Sequence, residues 1–182
     1  IGALAGYYGG VVDAVALRLI EIVKCFPVFI LIISLIAFLP QSIVTIMAVL
    51  GLIMWTRMAR LVRGEFLKHR NSDYTLAARA TGLGDARIMF RHILPNALAP
   101  VLVNITFGIA GAILVETALS FLGLGVPPPT ASWGEILSQS KSHIDRAWWL
   151  VIYPGLAIFI TVTAFNLVGE GLRDAMDPRL RE

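Results

Sequence analysis

The chain has 182 residues, of which 57% are hydrophobic and 15% charged, and its mean hydropathy is +0.78. These values exclude an ordinary soluble domain and a disordered chain, and place it among all-α, polytopic helical membrane proteins. The formal net charge of +3 matters less than where Lys and Arg sit, and the single cysteine, Cys25, excludes a disulfide within the chain.

The chain opens on Ile1-Gly-Ala-Leu-Ala-Gly, which reads as the last turns of a span already under way. The expectation is therefore a C-terminal portion of a longer protein, with Tyr7 to Gly10 closing that span. From Val11 to Lys24, Asp13, Arg18 and Glu21 interrupt an apolar pattern, which predicts a segment lying at the membrane interface. Phe26–Leu39 and Ile43–Thr56 follow as apolar stretches split by Pro40-Gln41-Ser42, a turn signal that predicts an antiparallel helical hairpin. Each is short for a span of about 20 residues. Both are expected to extend into charged flanks, with Lys24 and Arg57 or Arg60 reaching the interface.

Arg57, Arg60 and Arg63 then recur at helical spacing and predict a helix leaving the bilayer. Eight of the 15 Lys and Arg residues fall between Arg57 and Arg91, and three between Arg173 and Arg181. The positive-inside rule puts both regions on the cytoplasmic side, and the loop Gly125 to Arg146 outside. Within the first region lies a polar, alanine-rich island at 73–96. A short helix is predicted there, starting at Ser72 or Asp73 and stopping at Gly82. A second is predicted from Gly84-Asp85 to Leu94, with Arg87 and Arg91 on one face and Ile88, Phe90, Ile93 and Leu94 supplying apolar contact. Ala77, Ala78 and Ala80 leave the first helix almost without bulk, so that a partner can close around its backbone.

Pro95 marks re-entry into the membrane. Ala99–Leu122 is the longest predicted span, and Gly108, Ala110, Gly111 and Ala112 suit close helix packing. Gly123-Leu124-Gly125 and Pro127-Pro128-Pro129 end it. A partly helical outer loop follows from Trp133 to Arg146, with Trp133, Trp148 and Trp149 placed as an interfacial aromatic belt. The last span, Trp149–Leu167, is expected to be broken at Pro154-Gly155, and Gly169–Glu182 to be a polar tail.

The chain holds no phosphate-binding loop, His-Glu-x-x-His, paired cysteines or Gly-x-Ser-x-Gly. No motif here hydrolyses ATP, and His69, His92 and His143 fall on different segments, which argues against a shared metal site. Glu116 is the one acid well inside a span. It marks either a contact on a transport pathway or a packing hydrogen bond.

Ala77-Ala-Arg-Ala-Thr-Gly82 with Arg91-His-Ile-Leu-Pro-Asn96 resembles the EAA loop of ABC importer permeases, in the branch carrying dipeptides, oligopeptides and nickel. Ala5-Gly-Tyr-Tyr-Gly-Gly10, Ala59-Arg-Leu-Val-Arg-Gly64, Glu116 to Gly125, Ser132-Trp-Gly134, Asn166 to Asp174 and Asp177-Pro-Arg179 extend the likeness to the DppC/OppC-like subunit over nearly the whole chain. Leu76 occupies the place where the name-giving Glu often sits, and His92 that of an Ile. The resemblance implies a type I ABC importer transmembrane domain (MetI-like) over 1–182, lacking its N-terminal span or spans, with a coupling loop at about 57–95. It further implies a non-catalytic permease subunit in a bacterial or archaeal cytoplasmic membrane. Its implied partners are a second homologous permease, two cytoplasmic ABC ATPases that bind the ATP and Mg, and an extracytoplasmic solute-binding protein. The implied ATPase-coupling residues are Ala77, Ala78, Arg79, Ala80, Gly82, Leu94 and Pro95. A nickel importer permease, an ion-coupled secondary transporter and a membrane-embedded enzyme are the alternatives. The shortage of intramembrane acids argues against the second of these, and the lack of a nucleophile or metal constellation against the third.

Overall fold

The computed structural model describes residues 1–176, so the motif Asp177-Pro-Arg179 lies outside the described residues. Among those residues the regular structure is helical, with no strand. Helices α1 (Gly2–Tyr8) and α2 (Gly10–Lys24) are separated at Gly9, whose φ of 68° and ψ of −156° belong to a region that in practice only glycine occupies. Helix α3 (Val28–Phe38) is a separate element that starts only after Pro27. The expected extension of the first apolar stretch toward Lys24 does not occur, because Pro27 lacks an N–H and disfavours the helical conformation in the residue before it. Eleven residues make a helix of only about 16 Å.

Helix α4 (Ile43–His69) behaves as expected and runs 27 residues through Arg57, Arg60 and Arg63. Its start is capped by Ser42, whose Oγ accepts the Thr45 N–H at 3.1 Å. Helix α5 (Asp73–Ala80) and the single turn α6 (Asp85–Arg87) follow, then a π-helical segment, Ile88–Ile93, and α7 (Leu94–Phe121). Helix α8 (Trp133–Ser140) is capped by Ser132, whose Oγ accepts the Glu135 N–H at 3.1 Å. Helix α9 (Trp149–Met176) continues through Pro154 and beyond Gly169, so the expected break is absent and the first part of the expected tail is helical. A proline within a membrane helix is compatible with continuity when local adjustment absorbs its missing N–H. By length and composition, Ile43–His69, Asp85–Phe121 and Trp149–Met176 can each cross a membrane. This is a multi-pass membrane protein.

The chain divides into two compact units. The first comprises Ile1–Phe26, Met54–Asn104 and the chain from Gly171. Its core gathers Tyr7, Phe66, Ile88, Met89, Ile93 and Ala97. Here α1 lies directly on α4: a Cβ at Gly6 would stand 2.6 Å from the Arg63 carbonyl oxygen and from Phe66 Cβ, and one at Gly2 would collide with the Ala59 carbonyl. Two glycines four apart thus let the backbones meet, the close-packing device of membrane helices. The second unit comprises Pro27–Ile53 and Ile105–Glu170, with Ile32, Ile36, Ile46 and Leu119 fully buried. Its close approaches are Gly134 on Thr117 and Ser120, Gly125 on Ser120, and Gly169 on Thr106 and Phe107. The expected packing glycines Gly108 and Gly111 have nothing within 4 Å of a built Cβ. A run of small residues permits contact, but where contact falls depends on which face meets a neighbour.

Candidate functional site

The island begins at Ser72, the N-cap position of α5, in extended conformation. Its hydroxyl does not cap the helix but donates to the His69 carbonyl at 2.6 Å, and Thr75 Oγ1 donates to the same oxygen at 2.8 Å. Two hydroxyls therefore tie the start of α5 to the end of α4. Asp73 in the first turn and Arg79 in the last both complement the helix dipole.

The other end is a Schellman motif. Gly82, at φ 77°, donates its N–H to the Arg79 carbonyl at 2.9 Å, and Leu83 donates to Ala78 at 3.3 Å. These are the two bonds by which a left-handed residue closes a helix, and Leu83 packs on the cluster that includes Ala78, adding the apolar contact that accompanies the motif. The expected stop at Gly82 is therefore present in full.

Tertiary contacts fix the island in the first unit. Tyr7 of α1 is buried, and its hydroxyl donates to Asp85 Oδ1 at 2.7 Å. The Arg79 guanidinium lies 5.2 Å from the centre of the Tyr7 ring, a cation–π distance. One side chain of α1 thus holds both α5 and the turn that follows it. Arg63 of α4 pairs with Asp13 of α2 through Nε and Nη2, one edge of the guanidinium, with Nη2 to Oδ2 at 2.6 Å, a bidentate arrangement. Arg63 is therefore a structural partner of α2 as well as part of the basic stripe.

The second expected helix does not form a separate short element. After α6 the chain widens into the π-helical segment and continues into α7. The Leu94 N–H reaches back five residues to the Met89 carbonyl, the π spacing. Pro95 explains the widening, since its ring would crowd the carbonyl four residues earlier and it offers no N–H. Asn96 Nδ2 donates to the His92 carbonyl at 2.7 Å, a side-chain donor at the point where the regular ladder is disturbed. In this wider spiral Ile88, Met89 and Ile93 are buried, whereas Phe90 is 64% exposed, so Phe90 does not make the apolar contact within the chain that helical spacing implies.

On α5, Thr75 and Ala78 face inward, while Ala77, Arg79 and Ala80 are exposed and Leu76 is 48% exposed. The result is a small knob: one helix of low bulk, closed at both ends and seated on a buried face. What its exposed surface offers a partner is a low-bulk shape and the Arg79 guanidinium. In the second unit, Glu116 accepts a hydrogen bond from Ser120 Oγ at 2.7 Å through Oε1. This bond lies within its own helix.

The family described as the binding-protein-dependent transport system inner membrane component matches residues 1–182, the whole chain. The chain belongs to this family. A putative peptide transport system permease protein of Brucella suis biovar 1 is 45% identical over 181 residues, covering 100% of this chain and 61% of the relative. The dipeptide transport system permease protein DppC of Alkalihalophilus pseudofirmus is 40% identical over 100% of this chain and 60% of the relative. For the oligopeptide transport system permease protein OppC of Bacillus subtilis the figures are 40%, 100% and 59%. The chain spans about three-fifths of the length of these relatives.

Within this inner membrane component, the structure brings Ala77, Ala78, Arg79, Ala80 and Gly82 together on α5 and its stop. Leu94 and Pro95 stand apart, at the join between the π segment and α7. Sequence reasoning missed Tyr7, Asp85 and the Asp13–Arg63 pair. The close-packed Gly2 and Gly6, four apart, were a signal available in the sequence.

Proposed function

We propose that this chain is the membrane-spanning permease subunit of an ATP-driven importer for dipeptides or oligopeptides, and that ATP is hydrolysed by separate ABC ATPase subunits. The observation that carries this reading is the α5 knob: a low-bulk helix with Leu76, Ala77, Arg79 and Ala80 outward, closed by a Schellman turn and anchored by Tyr7. Its immobilisation matters because an element that transmits force between two states must hold its shape in both. Peptide as substrate is supported by the relatives' names, which are those of peptide, dipeptide and oligopeptide transport permeases.

In this reading residues 1–182 belong to one importer transmembrane domain, with a coupling loop at 57–95. Ala77, Arg79 and Ala80 meet the ATPase, Ala78 and Gly82 set the seat and the stop, and Leu94 and Pro95 pass the movement into α7. The loop and the C-terminus face the cytoplasm of a bacterial or archaeal cell, a reading supported by the Lys and Arg distribution. A second homologous permease completes the pathway, and an extracytoplasmic solute-binding protein delivers the peptide. The test is uptake of a labelled dipeptide into proteoliposomes containing the assembled complex. Uptake is expected to require ATP and the binding protein; uptake driven by an ion gradient without ATP would overturn the reading.

A further inference from the structure

Helix α7 carries Glu116 five residues before its last residue, Phe121, and there Glu116 lines a cavity of about 600 Å³ within the second unit. The walls are apolar: Ile43 and Met47 from α4, Ile109 and Ile113 from α7, and Trp133 and Ile136 from α8. Glu116 is the one ionisable residue in this lining, which includes no Lys, Arg or His. The Ser120 hydroxyl at 2.7 Å holds the carboxylate in place without supplying the opposite charge.

A carboxylate among apolar walls near the end of a candidate span favours a cationic partner. The cavity volume lies in the range of about 300–1,000 Å³ that encloses small molecules, and it far exceeds one lysine side chain. The complement of such a site is a small molecule with an ammonium group at one end and apolar surface beside it. We infer that the cavity receives the amino-terminal end of a peptide in transit. Glu116 takes the α-ammonium, and the Ile, Met and Trp wall accepts the first side chain without selecting by charge. The inference rests on the importer reading above, and it assigns Glu116 to substrate with Ser120 as its positioning residue.

The experiment uses the complete importer, without its binding protein, in vesicles of phosphatidylcholine and phosphatidylglycerol. The probes are a dipeptide carrying a diazirine-bearing leucine analogue, with a free or an acetylated amino terminus. The free-amine probe is expected to label residues around Met47, Ile109 and Ile136. Acetylation or Glu116→Gln should each reduce labelling about tenfold, the range of one charge-assisted hydrogen bond, and the two together should reduce it no further. Glu116→Asp should retain part of the preference for the free amine. Equal labelling by the two probes in the wild-type complex would sink the inference. So would labelling that declines in proportion to added phosphatidylethanolamine, which makes the cavity a lipid site, or loss of the second permease from Glu116→Gln on purification, which makes it a subunit contact. ATP-driven uptake with the binding protein present tests the underlying reading separately. Its absence in the wild type fails the importer reading, whereas normal uptake without amine discrimination in the cavity fails only this site.

Discussion

Replacing Gly82 separates backbone conformation from packing. Its φ is 77°, and a Cβ built there meets nothing within 4 Å, so any cost of a side chain is backbone strain. For an ordinary L-residue that strain is about 1–2 kcal/mol; it is smaller for Asn, which tolerates the left-handed region, and larger for a β-branched residue. The alternative is to abandon the turn, which gives up the Gly82 to Arg79 and Leu83 to Ala78 bonds at 2.9 and 3.3 Å. At about 0.5–1.5 kcal/mol each, that route costs as much as the strain. The ratio of closed to frayed knob should therefore fall by a factor of roughly 5–30 in Gly82→Ala. The assay is hydrogen exchange across residues 73–88, paired with the ratio of peptide transported to ATP hydrolysed in proteoliposomes. Protection and coupling should decline together from wild type through Gly82→Asn and Gly82→Ala to Gly82→Val, with membrane yield unchanged. Wild-type protection and coupling in Gly82→Val would refute the argument that this turn shapes the knob.

Tyr7→Phe removes the 2.7 Å bond to Asp85 while leaving the ring under Arg79. Because Asp85 is exposed, the expected loss is only about 1 kcal/mol, read as faster exchange at residues 83–86; an unchanged rate there would remove Tyr7 as the anchor. Gly6→Leu places its first side-chain atom against the Arg63 carbonyl and Phe66 Cβ at 2.6 Å. The helices must then separate, at a cost of about 1–3 kcal/mol, visible as a lowered Tm in detergent. Gly64→Ala, where a Cβ has open space, should be neutral or slightly stabilising, and an equal Tm loss in both variants would rule out a specific α1–α4 contact.

The stops and caps of this protein were legible because they are local. The Gly82 and Gly123 turns bond to carbonyls only a few residues back, Gly123 to Ser120 and Leu124 to Leu119 at 2.9 Å each, and such bonds depend on little beyond a glycine at the right offset. Apolar run length likewise located three segments that can cross a membrane, α4 among them as it extends through its arginines, but it failed at Phe26–Leu39, where α3 has only 11 residues. Prolines were less transparent. Pro27 separates α2 from α3 and Pro95 sits beside a π segment, yet Pro154 lies inside an unbroken α9, because the effect of a missing N–H depends on what surrounds the freed carbonyl.

By itself, the sequence determined an all-α membrane chain, a polar island with one short helix, and the place where that helix ends. Tertiary structure alone decided what holds the island still. The Tyr7–Asp85 bond joins residues 78 apart and the Asp13–Arg63 pair residues 50 apart, and no periodicity encodes which side chains meet at such separations. It also decided that close glycine contacts lie at Gly2, Gly6, Gly125, Gly134 and Gly169 while Gly108 and Gly111 have nothing within 4 Å of a built Cβ. Small side chains make close approach affordable, but only the packed partner gives them a surface to approach.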